Sequence, residues 1–183
     1  MIVKEKRDFE KINRISIIGG SGIGKTTLAN NLEKELEIPA CHIDGIQHLE
    51  NWVERDKEER DRIILDKVNE EKWIIDGTYR STLKQRLEKS DLVIYLDYSS
   101  IAQVKGAMGR FIKGHGKEKP EIPGCKEKMS LKFLLWVWNW RKDKRQDVID
   151  AINMINREKI IIFKNRRQLN KWYKNTFDKK IIG

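Results

Sequence analysis

Gly19-Gly20-Ser21-Gly22-Ile23-Gly24-Lys25-Thr26 decides how this chain is read. It fits G-x-x-x-x-G-K-[ST], the spacing of a loop that cradles phosphates. Arg14-Ile15-Ser16-Ile17-Ile18 runs into it as a short apolar strand candidate. On the far side, residues 27–36 place Leu28, Leu32 and Leu36 at i, i+4 and i+8, the stripe of an amphipathic helix. Strand, glycine loop and helix therefore follow in the order that phosphate binding needs.

A polyphosphate is a dense anion, and binding it takes many donors around one hollow. Gly20, Gly22 and Gly24 permit positive φ and leave no Cβ in the way, so successive N–H groups can point inward as a nest. The helix beginning near Gly24 adds unpaired N–H groups and the positive end of its dipole. Gly19 to Thr27, with Ser21 and Ile23 among them, are the nucleotide-binding candidates. Lys25 is expected to bridge the β- and γ-phosphates, Thr26 to ligate Mg²⁺, and Thr27 to donate to the α-phosphate.

The 183 residues suit one domain with a substantial core. No apolar run reaches transmembrane length, and Met1 to Asp8 is too charged for a signal-peptide core. A cytoplasmic protein without a membrane partner is the expectation. Cys41 and Cys125 lie far apart, outside any C-x-x-C pattern, and read as reduced thiols. The net charge of +10 implies anionic partners, either phosphorylated small molecules or nucleic acid. The excess gathers in residues 105–145 and 157–180.

Further strands are expected at residues 40–43, 73–75, 91–96 and 159–163. Helices are expected at about 52–69, around Leu83 and Leu87, at 100–112, at 166–178, and as one long helix over 130–156 with Ser130 as N-cap. Trp136, Trp138 and Trp140 alternate like a strand, but the surrounding stretch lacks Gly and Pro and favours the helix. Gly114, Gly116, Pro120, Pro123 and Gly124 mark residues 113–129 as a mobile lid. Strands alternating with helices predict a three-layer α/β domain with a parallel sheet.

The loop at Gly19 to Thr27, the His42-Ile43-Asp44 strand end, Trp73 to Tyr79, Leu92 to Asp97 and the aromatic-basic stretch Phe133 to Arg145 occur in a characteristic order. Together they resemble the bacterial DNA topology modulation, or FlaR-related, proteins, a group similar to adenylate-kinase-like P-loop kinases. The resemblance implies a five-stranded sheet of order 2-3-1-4-5, a substrate-side segment at about 44–70, a lid, and arginines on both sides of that lid. Asp76-Gly77-Thr78-Tyr79-Arg80 stands where adenylate kinases have Asp-Gly-Phe-Pro-Arg, which argues against adenosine monophosphate as acceptor.

Asp76 ends a strand at the edge where open α/β sheets hold ligands. It is a candidate to hold Mg²⁺ through water or to orient the acceptor; Asp-Gly is also a turn former. Asp44 has the same alternatives, with proton acceptance from a substrate hydroxyl as its functional one. His42 and His48 flank Asp44 without a further ligand cluster. Arg110, Arg141 and Arg145 bracket the lid and are candidates to stabilise charge on a migrating phosphoryl group, or are solvated. Lys113 and Lys117 are weaker lid candidates, and Asp97 reads as a helix-entry residue. The tryptophans of the long helix could stack on bases but more commonly pack on a sheet, and Arg166 and Arg167 could neighbour the adenine.

The function expected is an ATP-binding, Mg²⁺-dependent kinase acting on a small nucleotide- or nucleoside-like acceptor. The alternative is a nucleotide-gated, DNA-associated regulator affecting DNA topology.

Overall fold

A computed structural model describes residues 6–119, 122–126 and 129–182. Its strands are β1 (Arg14–Gly19), β2 (Ala40–His42), β3 (Trp73–Asp76), β4 (Leu92–Leu96), β5 (Glu118–Lys119), β6 (Ile122–Lys126) and β7 (Ile160–Phe163). Its α-helices are α1 (Lys25–Leu36), α2 (Ile43–Gln47), α3 (Lys57–Asn69), α4 (Arg80–Lys89), α5 (Ser100–Gly114), α6 (Leu131–Asp143), α7 (Arg145–Asn153) and α8 (Arg166–Phe177).

Five strands form one parallel sheet in the order β2-β3-β1-β4-β7. Counting only those strands, this is the expected 2-3-1-4-5. The central strands are apolar throughout because both faces are covered. On one face Ile15, Ile17, Ile94 and Leu96 pack with Leu28 and Leu32 of α1 and with Leu169, Tyr173 and Phe177 of α8. On the other, Ile18, Val93 and Tyr95 meet Leu83 and Leu87 of α4, Trp140 of α6, and Val148 and Ile152 of α7. Trp73 and Ile75 extend that layer onto Ile64 and Val68 of α3. The result is the three-layer α/β domain that the alternating pattern implied.

Four local expectations are corrected. The helix expected from residue 52 starts at Lys57, where the Asp56 carboxylate accepts from the amides of Glu58 and Glu59. Those bonds hold the Asp56 pKa below its ordinary value; Trp52 sits in a separate 3-10 turn, Glu50–Trp52. Asp44-Gly45 is no turn, since both residues belong to α2. The long helix is interrupted at Lys144 (φ −128°, ψ −20°), giving α6 and α7. Within the expected lid, α5 continues to Gly114, and β5 and β6 pair as an antiparallel hairpin. Pro120, Glu121, Glu127 and Lys128 of that lid lie outside the described residues, as does the expected signal-free opening through residue 5.

Candidate active site

The sheet order puts β1 between β3 and β4, so the loop leaving β1 sits at the carboxyl edge, flanked by both strand ends. That loop, residues 19–24, is tied down from two sides. Thr78 Oγ1 accepts from the Gly19 amide and donates to the Gly19 carbonyl, both at 2.8 Å. On the other side the loop rests on α5. Gly22 (φ 74°) lies so close that a Cβ there would stand 2.5 Å from the Ala107 nitrogen, and a Cβ on Gly106 would stand 1.8 Å from the Gly22 carbonyl oxygen. Gly106 is therefore as necessary to the loop as its own glycines, a requirement that the motif does not contain.

Lys25 opens α1 and turns back to donate to the Gly20 carbonyl at 2.6 Å. Burial lowers its pKa, while the carboxylates of Asp44 and Asp76 act to raise it and the guanidinium groups of Arg110 and Arg86 to lower it. Five charged side chains thus share one electrostatic neighbourhood. Thr26 Oγ1 donates to Asp76 Oδ2 at 2.9 Å, and the other Asp76 oxygen meets His42 Nδ1 at 2.5 Å. Asp76 is buried at the end of β3, and this close contact with His42 was not read from the sequence. Beneath it, the fully buried Arg86 donates to the Gly77 carbonyl, leaving Nε and Nη1 without a hydrogen-bond partner. Burial holds its pKa down at about 10, against the pull of Asp76.

A cleft of about 1360 Å³ opens over the loop. Gly19, Gly20, Ser21 and Lys25 line one end, Asp44 and His48 the side formed by α2, and Arg110 the side formed by α5. Trp52, Tyr79, Phe111, Phe133 and Trp136 give it aromatic walls. Trp136 and Trp138 are thus not packed on the sheet as expected; of the three tryptophans in α6, only Trp140 is buried there. A smaller hollow of about 240 Å³, lined by Lys11, Asp91 and Asn156, lies at the sheet's opposite edge, away from the loop. Arg166 reaches the loop from α8, its Nη2 3.4 Å from where a Cβ on Gly24 would be.

Arg141 and Arg145 do not line the cleft. Both reach Asp97, at the end of β4, whose side chain is 1 % exposed. Arg141 Nη1 donates to Asp97 Oδ1 at 2.6 Å and to the Tyr98 carbonyl at 2.8 Å. Arg145 forms a two-pronged pair at 2.8 Å, and Lys164 adds a third cation. The break at Lys144 lets residues of two helices converge on one carboxylate. Asp97 is a junction, more than the helix-entry residue expected, while Ser99 caps α5. No group of three or more His, Cys, Asp or Glu suited to a metal occurs among the described residues, and His48 bonds the Asp44 carbonyl. Cys41 and Cys125 are both free.

The hairpin is seated on the Glu50–Trp52 turn, beside the α2 side of the cleft. Cys125 Sγ accepts from the Trp52 amide at 3.1 Å and donates to the Leu49 carbonyl at 3.3 Å. The Trp52 indole donates to the Lys126 carbonyl at 2.9 Å. Asn51 (φ 58°) and Trp52 (φ 64°) are both left-handed, a conformation costly for such side chains and retained here by these cross-contacts.

This geometry agrees with what the chain is similar to. No family model matches it. The shikimate kinase from Acinetobacter baumannii in complex with shikimate superposes with a TM-score of 0.57 at 17 % identity, over 92 % of this chain and 95 % of that one. A gluconokinase from Sinorhizobium meliloti 1021 gives 0.54 at 12 % identity, over 91 % and 90 %. Over 77 residues the chain is 29 % identical to the ATP-dependent protease ATPase subunit HslU of Helicobacter pylori strain G27, which covers 42 % of this chain. The chain spans about 17 % of the length of the curated relatives it matches. The fold is that of the P-loop kinases. No helix among the described residues is long and apolar enough to cross a membrane.

Proposed function

We propose that the protein is an ATP-dependent phosphotransferase acting on a small nucleotide- or nucleoside-like acceptor, built as one domain with an acceptor-side segment at 44–70 and a lid at 113–129. The carrying observation is the Thr26–Asp76 pair under the loop, next to Lys25, which with Asp44 lines the aromatic-walled cleft and feels the charge of both carboxylates. A hydroxyl and a carboxylate oxygen 2.9 Å apart are hard donors suited to Mg²⁺, which binds through few protein ligands and completes its shell with water and phosphate. Thr26 and Asp76 would hold it, and bound there it would neutralise charge on the polyphosphate.

The loop amides and Lys25 bind and orient the donor's phosphates. An acceptor oxygen attacks the γ-phosphorus; its new P–O bond forms as the bond to the β–γ bridging oxygen breaks, and ADP leaves. Asp44 takes the acceptor's proton, and Arg110 faces the charge that spreads over the migrating group. Arg141 and Arg145 act through Asp97 as anchors of the lid-side helices. Arg166 neighbours the base of the donor.

The aromatic walls support a ring-bearing acceptor, because stacking rewards flat bases more than small polyols. The DNA-regulator alternative rests on net charge and on the FlaR-like order of motifs, and no contact among the described residues favours it over transfer. The test is a panel of nucleosides, nucleoside monophosphates, shikimate and gluconate with Mg-ATP, read by product mass. A phosphorylated nucleoside or nucleotide supports the proposal. ATP consumed at the same rate without any acceptor would make the protein a hydrolase and sink it.

A further inference from the structure

Outside the cleft, α5 and α6 leave a face of large apolar side chains in solvent. Ile101, Lys105, Met108 and Ile112 fall at i, i+4, i+7 and i+11 of α5; Leu131, Leu135, Trp138 and Lys142 repeat that spacing on α6. Each set lies on one helix face. Leu131 is 81 % exposed, Ile112 73 % and Leu135 62 %, with the other three apolar residues about half exposed. The inward faces carry Gln103 and Ala107 in α5, and Val137 and Trp140 in α6.

The Ser100 hydroxyl donates to the Trp138 carbonyl, and Arg141 reaches the Tyr98 carbonyl. The carboxyl end of α6 therefore lies beside the start of α5, and the helices run antiparallel. At about 100° per residue, each stripe stands roughly opposite the buried positions of its own helix. The two helices pack against each other and turn these buried positions inward, so both stripes face outward.

Their charge is one-sided. α5 has no Asp or Glu, and α6 none before Asp143, while Lys105, Lys113, Lys132 and Lys142 are exposed on or beside the stripes. We infer that this α5–α6 face docks on an anionic lipid surface. Apolar side chains with an indole among them, rimmed by lysines whose stems can reach outward, suit the headgroup–acyl boundary. Lysines near such a surface add attraction to its negative charge. A second copy would bring lysines against lysines, and nucleic acid would gain little from Ile, Leu and Met. This is a peripheral contact, beyond the expectation of no membrane partner and independent of the phosphotransfer reading.

The full chain is sedimented with vesicles of phosphatidylcholine alone and with about one-third phosphatidylglycerol, at low and physiological salt. Binding is expected only to the anionic vesicles, weakening with salt. Trp138 fluorescence should shift to the blue, and the shift should vanish in Trp138→Phe. The double variant L131E/L135E should lose about ten-fold or more in partitioning with an unchanged circular dichroism melt, and K105E/K142E should lose a similar amount. Three results would overturn the inference: no binding to anionic vesicles at low salt, binding unaltered by L131E/L135E, or a dimer in ultracentrifugation that the same double variant dissolves.

Discussion

Arg145→Ala removes two charge-assisted hydrogen bonds from the buried Asp97 carboxylate. Such bonds contribute roughly 1.5–3 kcal/mol each. Arg145 is 29 % exposed, and Arg141 and Lys164 stay on Asp97, so the net loss is smaller than the sum. We expect about 2 kcal/mol, or roughly 4–8 °C in Tm for a chain of this size. Asp97→Asn should cost more, about 3 kcal/mol, since it leaves converging cations without a countercharge. Burial pushes the Asp97 pKa up, but the hydrogen bonds from Arg145 and Lys164 and the charge of Arg141 outweigh it and hold the carboxyl well below the usual carboxylate range. A depressed folded pKa gives stability that is fully present above the unfolded value of about 3.9 and is lost as pH falls toward the folded one. Urea titrations from pH 7 to acid should therefore show a flatter profile below about pH 4 in Asp97→Asn than in the parent. Mg-ATP affinity by calorimetry should change by less than about two-fold in Arg145→Ala, because the anchor lies outside the cleft. If Arg145→Ala melts like the parent yet loses phosphoryl transfer, the anchoring argument is wrong and Arg145 works on the phosphates.

Lys25→Ala should abolish turnover, and its calorimetric heat with Mg-ATP should fall to background. Asp76→Asn keeps the shape of the Thr26 contact but removes a charge, so the Mg²⁺ needed for half-maximal turnover should rise about ten-fold, read by metal titration. Thr78→Val deletes both bonds that pin Gly19, and nucleotide Kd should rise by roughly 5–30-fold, measured by calorimetry. Gly106→Ala drives a methyl into the Gly22 carbonyl and should cost about 1–3 kcal/mol in urea titration, whereas Gly109→Ala, where a Cβ meets nothing within 4 Å, should be near neutral.

What the sequence disclosed was local. The strand before Gly19, the loop and the Leu28–Leu32–Leu36 stripe are neighbours in the chain, so spacing alone carried them. The sheet order came through resemblance, and the carboxyl-edge rule marked Asp76 and Asp44. What escaped depends on partners far apart in the chain. Asp97 meets Arg141, Arg145 and Lys164 across 44, 48 and 67 residues, and nothing near any of them signals the meeting. The break at Lys144 has no Gly or Pro to announce it; it follows from two helices sharing one carboxylate. Gly106 looks like an ordinary mid-helix glycine until the loop is laid upon it.

The seating of β6 on the Glu50–Trp52 turn has a kinetic corollary. Two arms of the cleft, about seventy residues apart in the chain, are buttoned together through one thiol and one indole. Neither arm can swing outward alone without releasing the other. On the proposed phosphotransfer reading, acceptor entry and product escape would share a single gating event, and a loosened button should speed both alike.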